Sequence, residues 1–198
     1  MTNAKMTRYC VIAGLLDRLA PGSTVVVLST VSPAYCQALA QEADKRGVRV
    51  IDCPVSGRVE GAESGTLTLM AGGDDEVIDE CSELLSPLGP VVRCGEVGSG
   101  QLTKVANNTL FIGMFALSQE VRDVVEASGM NVRNFSEILN QSTGRSWVSE
   151  NVAIPRERRP LSAMPLKELG VCRDLAESFD IEVPVVEQVL KHGTKVHR

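Results

Sequence analysis

Apolar positions follow two different rhythms along this chain of 198 residues. In the first half, short continuous apolar runs alternate with stretches in which apolar positions recur every three or four residues. The runs TVVVLST (24–30), VRVIDCPV (48–55), GTLTLMAGG (65–73) and PVVRCG (90–95) read as strands. The helical rhythm predicts helices over 8–20, stopped by Pro21-Gly22, over 34–46, ending at Gly47, and over 75–85. A strand followed by a helix and a second strand makes 24–55 a β-α-β unit.

The second half carries the helical rhythm alone. From about Gln101 to Ser128 nothing breaks it, and at about 1.5 Å per residue such a helix is roughly 40 Å long. Gly129 ends it. Further helices are expected near 131–141, 145–153, 162–179 and 183–192, separated by Gly, Pro and Asn. The pattern is therefore an α/β part over about 1–98 and an all-helical part over about 99–198, joined by the long helix. The run at 24–30 reads as a strand buried on both faces. With three other strands available, its sheet reads as incomplete, and an open edge of that kind invites a partner.

Composition narrows the classes of function. Hydrophobic residues make up 43% and charged residues 23%, an ordinary globular mixture with a net charge of −5. Nucleic-acid binding is disfavoured, because phosphate contacts need clustered Lys and Arg. No apolar stretch reaches the roughly 18–20 residues that span a bilayer, and the N-terminus lacks the apolar run of a secretory signal. The expected location is cytoplasmic, or mitochondrial if an N-terminal segment is missing. The six cysteines show no C-x-x-C pair, and neither His192 nor His197 has zinc-ligand spacing with them, so no metal site is expected.

Four stretches carry candidate chemistry. In GEVGSGQLTKVANN (95–108), Lys104 and Asn108 are four residues apart and share a helix face. A lysine in a low-dielectric cleft exchanges a proton near neutral pH, and Asn108 can bond a substrate oxygen. A surface lysine beside a polar helix residue explains the same spacing. In DCPVSGRVEGAESGTLTLMAGG (52–73), Ser56-Gly57 closes a strand and suits a carboxylate, though a plain turn fits as well, and Gly61, Gly65, Gly72 and Gly73 read as turn glycines. Thr30 in LSTVSP lies at the carboxyl end of a buried strand, where α/β sheets bind ligands, and a helix cap at Ser32 is the plainer account. Lys167 in PLKELG sits next to Glu168, normally a solvated pair. GEVGSG is not the G-x-G-x-x-G of a first strand, and no dinucleotide phosphate fingerprint occurs in the chain.

Taken together and in this order, the segments resemble the β-hydroxyacid dehydrogenase family, of the 3-hydroxyisobutyrate dehydrogenase and tartronate semialdehyde reductase type. The resemblance runs from about Arg8 to Val189. DCPVSGRVEGAESGTLTLMAGG is similar to the family's substrate-binding segment and GEVGSGQLTKVANN to the start of its catalytic helix, with STGRSW (142–147) and PLKELG as weaker matches. The resemblance implies a partial Rossmann-type domain (1–98) followed by the family's helical domain (99–198). It implies Lys104 as catalytic acid/base, Ser56 and Gly57 on the substrate carboxylate, and Asn108 on substrate oxygens. It implies Thr30 and Lys167 as cofactor contacts. The implied reaction is hydride transfer between NAD or NADP and a small 3-hydroxy acid or its semialdehyde, in a homodimer. Family members open with a strand, G-x-G-x-x-G and a helix, and this chain is expected to start after that segment. The alternative is therefore a non-catalytic or truncated homologue that keeps a carboxylate pocket and dimerises through its helices. Arg58 stands where the family has a second glycine, Glu168 where it has aspartate, and the stretch between Asn151 and Lys167 is shorter than usual.

Overall fold

The computed structural model describes residues 14–151 and 166–193. Most of the expected helix over 8–20 lies outside these residues; within them 14–16 are helical and a turn follows at 17–18. The chain divides into two compact units, Met1–Lys104 and Val105–Arg198.

The first unit is a five-stranded mixed sheet with helices on both faces. Strand β1 is Thr24–Val27, helix α1 Pro33–Asp44, β2 Arg49–Asp52 and β3 Val55–Ser56. Helix α2 follows at Arg58–Ser64, then β4 Thr68–Gly72, α3 Asp75–Leu85, a 3₁₀ turn Ser86–Leu88 and β5 Val91–Gly95. β1 and β2 are parallel, in register Val25↔Val50 and Val26↔Ile51. β4 is the central strand: β3 and the end of β2 lie antiparallel to it, and β5 runs parallel. Alternation along β1 and β2 feeds two cores. Val25, Val27 and Val50 pack with Leu39 and Ala43 of α1, while Val26 and Ile51 pack with Val77, Ile78 and Leu85 of α3.

Local chemistry explains the boundaries. Pro33 opens α1 directly after Ser32, whose hydroxyl accepts from the Tyr35 N–H, and Asp74 caps α3 by accepting from Glu76 and Val77. Gly47 (φ 66°) turns the chain back into β2.

Three expectations are corrected. The strand expected over 24–30 ends at Val27, and all four of its residues are half-buried rather than covered on both faces. Among the described residues it has only β2 beside it, so its valines lack a second neighbour. The strand expected over 48–55 is two strands. Pro54 has no N–H for a ladder, and at Cys53-Pro54 the chain leaves the side of β1 and continues along β4. Residues 58–64 are a short helix, so Gly61 is not a turn glycine; it is buried where an added Cβ would meet Leu67 Cδ2 at 3.1 Å.

The second unit is helical. Helix α4, Ser99–Ala127, covers the boundary between the units and ends at Gly129 (φ 78°). Then come α5 Val132–Leu139, α6 Trp147–Asn151, α7 Lys167–Ser178 and α8 Pro184–Gly193. Residues 152–165, and with them the shortened stretch and the first part of the expected helix 162–179, lie outside the described residues. Within this unit Val105, Ile112, Phe115, Val148 and Leu169 are buried, and the Phe111 ring meets Trp147 edge-on at 5.8 Å. No helix among the described residues is long and apolar enough to cross a membrane.

Candidate functional site

Three chain segments meet at Asp52, namely the end of β2, the turn after β1 and the start of α4, whereas Ser56 lies farther along β4, opposite Thr68. Asp52 ends β2 and is fully buried. Its Oδ1 accepts from the Gly98 N–H at 2.6 Å and its Oδ2 from the Gln101 N–H at 2.7 Å. The glycine-rich GEVGSG segment thus turns the start of α4 toward a carboxylate of the chain itself. Orphan N–H groups at a helix start attract an anion, and here that anion is Asp52. Burial pushes its carboxyl above the ordinary aspartate range, and the N–H groups of Gly98, Gln101 and Gly100 pull it back.

The close approach requires glycine. An added Cβ on Gly100 would lie 2.1 Å from the Met70 carbonyl oxygen and 2.9 Å from Asp52 Oδ2, and one on Gly72 would lie 2.7 Å from Asp52 Oδ1. The helix start is therefore seated directly on the ends of β2 and β4.

Gln101, also fully buried, carries the connection onward. Its Oε1 accepts from the Val31 N–H at 2.9 Å, and its Nε2 donates to the Ser29 carbonyl at 3.0 Å. The two bonds bracket Thr30 in the turn that follows β1. Thr30 itself is half-buried. Lys104 follows Gln101 by three residues on α4, nearly one turn, and is half-buried. Thr30 and the first turns of the lysine's helix are thus tied by one side chain.

Ser56 ends β3, half-buried, and Gly57 follows in an exposed turn. Gly57 has φ 134°, and an added Cβ would stand 2.9 Å from Leu67 Cδ2, so both conformation and space call for glycine. Asn108 belongs to the second unit, on the continuation of α4, where its Oδ1 accepts from Asn107 Nδ2 at 3.2 Å. Lys167 opens α7 in the second unit. Its side chain is 70% exposed and its Nζ lies 3.6 Å from Glu168 Oε1. Glu168 is buried, and its Oε2 has no hydrogen-bond partner. A 610 Å³ cavity in the second unit, walled by Arg173, Glu177, Asp180 and Glu187 among others, includes none of the expected site residues. Among the described residues no group of three His, Cys, Asp or Glu could hold a metal ion.

Sequence reasoning passed over Asp52 and Gln101. The available signal was a carboxylate closing an apolar strand, VID, and an amide inside a helix start that is otherwise glycine and serine. Neither identifies its partner without the fold.

Residues 1–98 match the model of the NAD binding domain of 6-phosphogluconate dehydrogenase, and residues 98–197 that of the NAD-binding domain of NADP-dependent 3-hydroxyisobutyrate dehydrogenase. The chain is 39% identical over 185 residues to a probable mitochondrial 3-hydroxyisobutyrate dehydrogenase of Dictyostelium discoideum, covering 86% of this chain and 57% of that protein. It is 31% identical to an NAD-dependent L-serine dehydrogenase of Pseudomonas aeruginosa, covering 87% of this chain and 62% of that protein. The chain thus spans less than two thirds of the length of these curated relatives. A solved 3-hydroxyisobutyrate dehydrogenase of Mycobacterium tuberculosis with L-serine shares the fold at a TM-score of 0.85, with 24% identity over 94% of this chain and 68% of that one. The α/β unit that seats a long helix on Asp52, the helical unit after it and these matches to both halves agree: the chain belongs to the 3-hydroxyisobutyrate dehydrogenase-like β-hydroxyacid dehydrogenase family.

Proposed function

We propose that this chain serves NAD(P)-dependent oxidation of a small 3-hydroxy acid, or reduction of the matching semialdehyde, with Lys104 as acid/base. The single observation that carries the reading is the Asp52–Gln101 network, which holds the Thr30 turn and the first turns of Lys104's helix as one piece. The named activities of the family relatives supply the substrate class. The domains we propose are a partial nucleotide-binding domain over 1–98 and a helical domain over 99–198.

The residues present fit one half of a dinucleotide. The start of α4 is occupied by Asp52, so it is not a pyrophosphate seat. Thr30, in a turn past the carboxyl end of a parallel strand, suits the nicotinamide half, and the exposed ammonium of Lys167 suits a phosphate or ribose of the cofactor. When bound, the nicotinamide supplies the hydride chemistry. The rest falls to side chains of this chain. Ser56 donates its hydroxyl, and the turn at Gly57 its backbone N–H groups, to the substrate carboxylate. Asn108 bonds the substrate oxygens. The neutral Lys104 amine takes the hydroxyl proton during oxidation, and the ammonium returns it during reduction.

A second copy of this chain is the proposed partner. Leu110, Met114, Leu117, Val121 and Val124 are all exposed on α4 at alternating spacings of four and three, the repeat of a helix-pairing seam.

The test is NAD(P)H formation with 3-hydroxyisobutyrate and L-serine. Lys104→Met is expected to lower kcat by about 10²–10⁴-fold, the usual share of a general acid/base, with KM changed far less. A variant that keeps a tenth or more of wild-type kcat would refute the role of Lys104. Sedimentation of the same preparation reads the partner: a monomer mass at micromolar concentration overturns the dimer.

A further inference from the structure

Among the described residues of the first unit, every backbone with positive φ belongs to glycine except one. That one is Arg58, at φ 60°. A left-handed conformation crowds the Cβ of any L-residue against its own carbonyl, and arginine has no short polar side chain to offset the strain as Asn or Asp does. Glycine occupies this region freely at Gly22, Gly47 and Gly65 of the same unit. Arg58 therefore sits where a glycine would cost the fold less. Strain of this kind directs attention to what the side chain does.

The side chain is not consumed by packing or by a tight ion pair. It is 53% exposed, and its closest recorded carboxylate, Glu60 Oε2, lies 3.8 Å from Nε, the outer limit for a pair. Glu60 is itself 74% exposed. The guanidinium stands two residues from Ser56 and one from Gly57. Three consecutive Cα atoms span at most about 7 Å, and the arginine stem covers a similar length. The stem is thus long enough to bring the charge beside a carboxylate bound at Ser56-Gly57. A guanidinium offers two parallel N–H donors, a fork that matches a carboxylate and has little to offer a methyl group.

We infer that Arg58 is a specificity-determining residue and that the favoured substrates are 3-hydroxy acids bearing a second carboxylate. The inference rests on the reading of Ser56-Gly57 as the seat of the first carboxylate. Glu60 is the competing anion: the substrate's second carboxylate displaces it, and the closer, two-pronged contact outweighs a pair at 3.8 Å.

Two acids of matched shape separate the possibilities. 3-Hydroxybutyrate and malate have the same carbon skeleton and a hydroxyl at the same distance from one carboxylate; malate carries a carboxylate where 3-hydroxybutyrate has a methyl group. Titration calorimetry of the whole chain with each acid, both enantiomers, gives the two dissociation constants. Wild-type protein is expected to bind malate about fivefold or more tighter than 3-hydroxybutyrate. In Arg58→Gly that ratio falls to about one, and Arg58→Lys keeps part of it through charge without the fork. Folding does not confound the first variant, because glycine adopts this φ without strain, and circular dichroism confirms it. A ratio near one in wild type, or a preference that survives in Arg58→Gly, overturns the inference. Ser56→Ala tells this failure from the other. If it weakens both acids while wild type does not discriminate, the carboxylate seat stands and Arg58 has no part in selection. If neither acid binds wild type at millimolar concentration, the seat and the inference fall together.

Discussion

Replacing Gln101 by methionine tests whether one amide holds the Thr30 turn to the helix of Lys104. Methionine matches glutamine in length and helix propensity, so the change removes the polar atoms and little else. Two hydrogen bonds disappear, Val31 N–H to Oε1 at 2.9 Å and Nε2 to the Ser29 carbonyl at 3.0 Å. Each is worth about 1 kcal/mol net, and stranding a buried partner adds about 1 kcal/mol or more. Val31 is half-buried and Ser29 exposed, so the stranding penalty falls mainly on the Val31 N–H. Burial of a methionine where glutamine stood returns about 1 kcal/mol. The expected net loss is about 2 kcal/mol for the first unit. With a urea m-value of about 2 kcal/mol/M, the unfolding midpoint of that unit drops by about 1 M. Amide hydrogen exchange then locates the effect: Val31 loses protection, while Val50 and Ile51 in β2 follow only the global change. A midpoint shift below about 0.2 M, or unchanged protection at Val31, would mean that the turn is held by other contacts and that Gln101 does not couple it to α4.

Three further outcomes follow from packing and burial. Gly100→Ala places a Cβ 2.1 Å from the Met70 carbonyl oxygen; β4 and α4 must separate, and a loss of about 3 kcal/mol or more is expected, read as lowered soluble yield and melting temperature. Gly113→Ala on the same helix meets nothing within 4 Å and should add about 1 kcal/mol to the unfolding free energy, the ordinary helix gain over glycine, read as a raised urea midpoint. Burial pushes the Cys36 thiol up to about 12 and the Cys53 thiol up to about 11, in both cases with help from the Asp52 charge. Both should resist alkylation at pH 8 until the unit unfolds. Because the folded pKa lies above the unfolded value near 9, the stability tied to the neutral thiols is complete below about pH 9 and is lost between 9 and 12. Rapid labelling of Cys36 in native protein at pH 8 contradicts this.

The order of elements was legible in the chain because it depends on local rules. The short apolar runs around 24–27, 49–52, 68–72 and 91–95 became strands, and Ser32-Pro33, Gly47, Asp74 and Gly129 bound the helices through cap and turn chemistry that acts over a few residues. The family was legible for a related reason: its two long motifs are contiguous stretches. Where the local rules failed, non-local packing decided. The run at 48–55 looked like one strand because periodicity cannot register that Pro54 moves the chain from β1's neighbour to β4's. The run at 24–30 looked doubly covered because hydrophobicity measures the demand for cover, not its supply.

By itself, then, the sequence determined an α/β unit followed by helices, the family, and Lys104, Asn108, Ser56, Gly57, Thr30 and Lys167 as the residues to examine. Only the tertiary structure decided what holds the Thr30 turn to the start of Lys104's helix. Asp52 lies 46 residues from Gly98 and Gln101 lies 70 from Val31, and no periodicity or cap rule acts over such separations. A buried carboxylate needs donors and a buried helix start needs an anion, so folding pairs them. That pairing gave Asp52 its role and closed the glycine-rich segment to phosphate. It could not be read from the residues, because a hydrogen bond between a strand end and a distant helix start exists only once the fold has brought the two together.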